Sequence, residues 1–228
     1  MSSASMQPLP PGVTFLAPQI PVHVFLGKRP GPTSIVQAGI HGDEIGGSHA
    51  LAEWLEDGVR LEAGKLLVIP IMNPPAYRAR ERAAPGGLDL NRCFPGDPSA
   101  PERERRLAAQ FMALVLAERP ALVATLHESK KRYDPQVKPS FGQTLVYGVT
   151  PCPPVLTRVV ASLNDEASPE EHWETLHYPV ATSSTEVIVE ATGCVGTCVE
   201  TWMGFPERRR IQMQRRVVGL LLAEIGHQ

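Results

Sequence analysis

Short apolar runs rich in β-branched residues alternate with longer amphipathic runs along nearly the whole chain. That alternation restricts the possible folds more than any other feature. The strand-like runs are Val22–Leu26, Ser34–Ile40, Leu66–Met72, Leu122–Leu126, Thr144–Val149, Glu186–Glu190 and Thr197–Thr201, bounded by Gly, Pro or polar residues. The helix-like runs are Glu44–Leu55, Glu102–Arg119, Val155–Ala167 and Glu207–Ile225. In the second of these, Leu107, Phe111, Leu114 and Val115 recur at helical spacing, which builds one apolar face. Pro101 suits the first turn of that helix, and Pro120 blocks its continuation. Strands alternating with helices predict an α/β sandwich: a mainly parallel mixed sheet flanked by helices. Ligands in such folds bind beyond the carboxyl ends of the strands. The long loops there, Ser129–Gly142 and Ala167–Pro179, are expected to cover a site.

Composition narrows the function. With 228 residues, 43% hydrophobic and 20% charged, the chain can bury a sizeable core, which excludes a disordered or collagen-like polymer. A formal charge of −2 lacks the basic footprint of a nucleic-acid module. No apolar stretch reaches the length of a membrane span. The proline-rich start, Met1 to Gly12, lacks the charged and apolar regions of a signal peptide, so a cytoplasmic location is expected. Four cysteines, Cys93, Cys152, Cys194 and Cys198, are too few for a disulfide framework in a chain this long. They read as reduced structural thiols.

The candidate chemistry sits just after the strands. His41-Gly-Asp-Glu44 follows the run Ser34–Ile40, and His127 follows Leu122–Leu126. On its own the tetrapeptide reads as a helix start whose acidic residues suit the dipole. Together, two imidazoles and one carboxylate make the donor set of a catalytic zinc site, with a position left for water. Between them, Gly87-Leu-Asp-Leu-Asn91-Arg92-Cys-Phe-Pro-Gly96 displays Asn and Arg side by side in a glycine-framed turn, suited to gripping a carboxylate. A regular strand would point Asn91 and Arg92 to opposite faces, so this segment is expected to bend.

The ordered set His41-x-x-Glu44, Asn73-Pro-x-Ala76, Asp89-Leu-Asn91-Arg92 and Leu126-His127 resembles the zinc carboxypeptidase superfamily, and within it the succinylglutamate desuccinylase/aspartoacylase family. The resemblance runs from about Ser34 to Trp202. It implies one zinc ion held by His41, Glu44 and His127, with Asn91 and Arg92 binding the carboxylate of a small amino-acid-like substrate. It also implies a late glutamate as the base that activates water. Glu200 matches best, with Glu190 as the rival. An upstream arginine would stabilise the oxyanion: Arg82 is preferred over Arg80 and Arg78.

The reaction implied is zinc-dependent hydrolysis of the amide bond of an N-acyl amino acid. The alternatives are a metallocarboxypeptidase acting on short peptides and a catalytically silent zinc-binding domain. Two departures stand out. Thr125 occupies the position, two residues before His127, where the family usually carries Asp, and adjacent Glu128 is a possible substitute. Little chain follows Glu200, and most of it is the helix Glu207–Ile225, so residues 1–228 are expected to form one catalytic domain without the family's C-terminal β-rich domain. Lys130, Lys131 and Arg132 offer positive charge near the site. Arg208, Arg209, Arg210, Arg215 and Arg216 read as the solvated side of the last helix. Nothing in the sequence points to an oligomeric state, a nucleic-acid partner or a membrane.

Overall fold

The computed structural model describes residues 6–228, so the first five residues of the proline-rich start lie outside it. In chain order the strands are β1 (Gly12–Ala17), β2 (Ile20–Leu26), β3 (Arg29–Ala38), β4 (Ala63–Ile69), β5 (Leu122–Ser129), β6 (Thr144–Tyr147), β7 (Glu174–His177) and β8 (Val195–Trp202). The helices are α1 (Ile45–Asp57), α2 (Pro74–Ala79), α3 (Arg103–Glu118), α4 (Pro154–Asn164), α5 (Ser184–Thr192) and α6 (Glu207–Ile225). All eight strands form one sheet in the order β1-β2-β4-β3-β5-β8-β6-β7. Its centre, β4-β3-β5-β8, is parallel throughout, while β1-β2, β2-β4 and β6-β8 are antiparallel. The expected mixed α/β sandwich is therefore what the chain forms. Among the described residues no helix is long and apolar enough to cross a membrane.

Side chains alternate across the central strands, as a period of two requires. Ile35, Leu67, Ile69 and Val123 pack with Leu107, Phe111 and Val115 of α3 and Val187 and Ile188 of α5. Val36, Leu66, Val68, Ala124, Leu126 and Val199 pack on the other face with α1, α4 and α6. Both faces are covered, which is why these strands read as continuous apolar runs. Because of this alternation, Thr125 and His127 on β5 emerge on the α3/α5 face, while Glu128 emerges on the α1/α6 face.

One expected strand is a helix. Glu186–Glu190 lies within α5, although Val187, Ile188 and Val189 favour strands locally. The helix wins because its ends are sealed. The Ser183 side chain accepts from the Glu186 amide, and Gly193 closes the last turn at φ 69°, a left-handed conformation that glycine adopts without strain. Strands β1 and β7 and helix α2 were not expected. Helix α3 starts at Arg103 with Glu102 as its N-cap, so Pro101 precedes the first turn instead of entering it. Its end agrees: Arg119 is left-handed at φ 47°, directly before Pro120.

Candidate active site

Three buried side chains converge where β3 and β5 end. His41 Nδ1 lies 2.7 Å from Glu44 Oε1, and His127 Nδ1 lies 2.7 Å from Glu44 Oε2. The potential donor atoms all fall within 4.8 Å of one another. Glu44 caps α1, so the strand-to-helix turn delivers it opposite the two imidazoles. Burial opposes its charge, yet both histidines outweigh this and hold the carboxyl well below the usual carboxylate range. The same contacts act in reverse on the rings. Burial alone would lower His41 and His127, but Glu44 raises both, joined by Asp89 at His41. Each imidazole–carboxylate contact is thus held by a proton that a cation would displace.

Support for His41 comes from Asp89, whose Oδ1 lies 3.2 Å from Nε2 of the ring. A carboxylate on the far nitrogen fixes the tautomer and orientation of a metal-binding imidazole. Asp89 is itself anchored, accepting from the Asn91 amide at 3.0 Å and from Arg82 Nε at 3.0 Å. Buried N, N and O donors with such backing suit Zn²⁺. Within the His41–Glu44–His127 cluster, Nε2 of His127 is buried without a hydrogen bond.

The segment holding Asn91 and Arg92 bends as expected, because Leu90–Arg92 is a single 3₁₀ turn capped by Asp89. Asn91 is buried and its Oδ1 accepts from the Ser184 amide (2.9 Å) and hydroxyl (3.0 Å), which ties the turn to the start of α5. Asn91 and Arg92 both line a cleft of about 340 Å³ that also contains His41, Glu44, His127 and Glu200. Arg82 lines it too, 2.9 Å from Asp89 and 3.7 Å from Glu44. The rival arginines do not. Arg78 reaches Gln19, and Arg80 stacks on Tyr77.

Glu200 sits on β8 in register with His127 on β5, so the two side chains are neighbours on one face of the sheet. It makes no side-chain hydrogen bond among the described residues. Burial, reinforced by Glu44, pushes its carboxyl up to about 7, although His127, His41 and Arg82 oppose the shift. Glu190 is exposed on α5, away from the cleft.

Thr125 is buried on the same face as His127 and bonds Gln37 (3.3 Å) and Thr185 (3.4 Å). Thr185 in turn lies 3.0 Å from the Cys198 thiol, and Cys198 borders the His127 ring and favours its charged form. This chain of small polar groups stands where the family's usual Asp would be. Cys198 was expected to be merely structural; only its two-residue offset from Glu200, which puts it on the same face, signals otherwise. Glu128 is not the substitute. It turns to the opposite face, where it accepts from the Gly46 amide at 2.8 Å and pairs with Arg210 at 2.8 Å. Arg210 is therefore largely buried, unlike the solvated neighbours with which it was grouped. Of the basic triplet, Lys130 and Lys131 line the cleft, with Lys130 3.2 Å from Asp43. Arg132 turns away to stack over Trp202.

Residues 30–134 match the profile of the succinylglutamate desuccinylase/aspartoacylase catalytic domain. That span holds His41, Glu44, Asp89, Asn91 and His127 in one continuous match. This stretch of the chain is similar to that family's catalytic domain. A curated relative, the N-alpha-acetyl-L-2,4-diaminobutyric acid deacetylase of Halomonas elongata, is 37% identical over 121 residues, covering 52% of this chain and 34% of that protein. The cell shape determinant Csd4 of Helicobacter pylori shares the fold with a TM-score of 0.82 at 17% identity, over 92% of this chain and 56% of that one. A succinylglutamate desuccinylase from Silicibacter gives a TM-score of 0.70 at 24% identity, over 91% and 60%. The chain thus spans about a third of the curated relative and somewhat over half of these structures.

Proposed function

We propose that the chain is a zinc-dependent hydrolase that cleaves the amide bond of an N-acyl amino acid. The observation that carries this reading is Glu200, which faces the His41–Glu44–His127 cluster across one strand pair and whose carboxylate has no hydrogen bond among the described residues. His41, Glu44 and His127 would hold one zinc ion. Bound there, zinc would polarise the scissile carbonyl and make the attacking water more acidic. Glu200 takes the proton from that water and delivers it to the leaving amine. Arg82, steadied by Asp89, donates to the carbonyl oxygen as negative charge develops on it. Asn91 and Arg92 hold the substrate's α-carboxylate, with Asn91 fixed in place by Ser184.

An acetyl group is the acyl group that best suits this cleft. It is neutral and needs no cationic partner. The relative named as a deacetylase of an N-acetylated diamino acid supports that choice. His127 and Glu200 lie on neighbouring strands, and His41, Glu44, Arg82, Asn91 and Arg92 lie in the turns beside them, which supports one catalytic domain supplying the reaction.

The test is a panel of N-acetyl and N-succinyl amino acids and short peptides, assayed with zinc and after chelation. Turnover of N-acyl amino acids that chelation abolishes and zinc restores is expected. Peptide trimming alone would favour a carboxypeptidase, and turnover indifferent to chelation would overturn the reading. Glu200→Gln should lower kcat by about 10²–10⁴-fold while zinc content, measured by atomic absorption, stays at one ion per chain.

A further inference from the structure

The cleft contains a second carboxylate without an assigned role. Glu186 is the third residue of α5, two positions beyond Ser184, whose amide and hydroxyl hold Asn91. The sequence Ser183-x-x-Glu186 is that of a capping box, in which the glutamate reaches back to the amide of the N-cap serine. Only half of the box forms. The Ser183 hydroxyl accepts from the Glu186 amide at 3.3 Å, but the Ser183 amide bonds the Val180 carbonyl at 2.8 Å. With that amide taken, the Glu186 side chain is left free to enter the cleft.

Among the described residues it has no hydrogen-bond donor and no ion-pair partner. Arg82, Lys130 and Arg210 are each paired elsewhere. Its carboxylate lies over Gly148, where a Cβ would collide with it. The missing side chain at 148 is therefore what gives the carboxylate its place. Around it the wall is apolar and aromatic, with Phe141, Tyr147, Tyr178 and Val180. Such a wall suits the methylenes of an extended side chain, and a lone carboxylate beside it suits a cation at the end.

We infer that Glu186 selects substrates whose side chain ends in an ammonium group: N-acylated diamino acids, bound with the α-carboxylate at Asn91 and Arg92 and the distal ammonium at Glu186. This rests on the hydrolase reading for the orientation of the substrate. A charge-assisted hydrogen bond of this kind discriminates against a neutral isostere by about 10–100-fold.

The experiment compares kcat/KM for Nα-acetyl-L-2,4-diaminobutyrate, Nα-acetyl-L-ornithine and Nα-acetyl-L-lysine with that for neutral Nα-acetyl-L-norvaline. It is run on the zinc-loaded wild type, Glu186→Gln, Glu186→Lys and Gly148→Ala, whose folding is checked by thermal midpoint. The wild type should prefer at least one cationic substrate by about tenfold or more. Glu186→Gln and Gly148→Ala should collapse that ratio, and Glu186→Lys should turn the preference towards Nα-acetyl-L-glutamate. A cationic-to-neutral ratio left unchanged by Glu186→Gln overturns the inference while leaving the hydrolase intact. If no substrate is hydrolysed, the hydrolase reading fails and calorimetry with free L-2,4-diaminobutyrate, L-ornithine, L-lysine and L-norvaline decides about Glu186. Selective diamino-acid binding lost in Glu186→Gln supports it; equal binding, or none, overturns it.

Discussion

Asp89 meets His41, Arg82 and the Asn91 amide through one carboxylate, so it orients the proposed metal-binding ring, the proposed oxyanion donor and the proposed anchoring turn together. Burial opposes its charge, but His41 and Arg82 keep it well below the ordinary range for an aspartic acid, and it stays ionised at any working pH. Asp89→Asn keeps the shape and removes the charge. It should weaken zinc binding by about 10–100-fold, measured by competition with a chromophoric chelator; unchanged affinity would leave Asp89 a turn-capping residue only. At this scale the three converging donors were legible in the sequence because their types and order carry the chemistry. The supporting groups were not. Cys198 and Thr185 bond across elements, and small polar residues have no spacing rule that reveals such a contact.

Among elements, legibility followed burial. Strands β3, β4, β5 and β8 are covered on both faces and announce themselves as apolar runs. Strands β1 and β7 lie at the sheet edges and carry mixed, partly exposed residues, so their pattern is weak. Helix α5 was misread because three successive β-branched residues outweigh two cap residues in any local reading. Its correct placement matters for the site, since its start holds Asn91 and supplies Thr185 and Glu186. Helix α6 makes a different point. Arg210 pairs with Glu128, whose carboxylate is fully buried and accepts from the start of α1. Burial raises the Glu128 pKa even so. Removing only the cation in Arg210→Met leaves that charge unpaired and should cost about 3–5 kcal/mol in urea unfolding. The double change Glu128→Leu with Arg210→Met should recover most of that loss. A single variant as stable as the wild type would show that the pair does not fasten α6 to α1.

For the whole molecule, Glu200, His41 and His127 lean the same way when no metal is bound, whereas Glu44 and Asp89, both held below the usual carboxylate range, are already ionised over the pH range concerned. Unfolded, Glu200 releases its proton near 4.5; folded, it keeps it to about 7. Stability therefore falls as pH rises through that window. His41 and His127 are raised by folding, so their contribution is complete below about 6.5 and fades as pH climbs through their folded values. The thermal midpoint of the metal-free chain should therefore decline from about pH 5.5 to about pH 8.5. Zinc requires deprotonated ligands, so the gain in midpoint on adding zinc should grow over the same range. A metal-free midpoint that rises with pH would contradict the arrangement of protons described at the centre.

Pairing Glu200 with His127 across adjacent parallel strands also quantises the placement of the proposed base. Inserting or deleting one residue in β8 would not nudge Glu200 along the cleft; it would send it through to the opposite side of the sheet. Position along the strand is thus available only in steps of two residues, while reach can be trimmed by one methylene through exchange with aspartate. Variation in the substrates of the proposed hydrolase is for that reason expected to accumulate in α5 and the loops over the cleft, which can shift by small amounts, and not in the strand pair that carries His127 and Glu200.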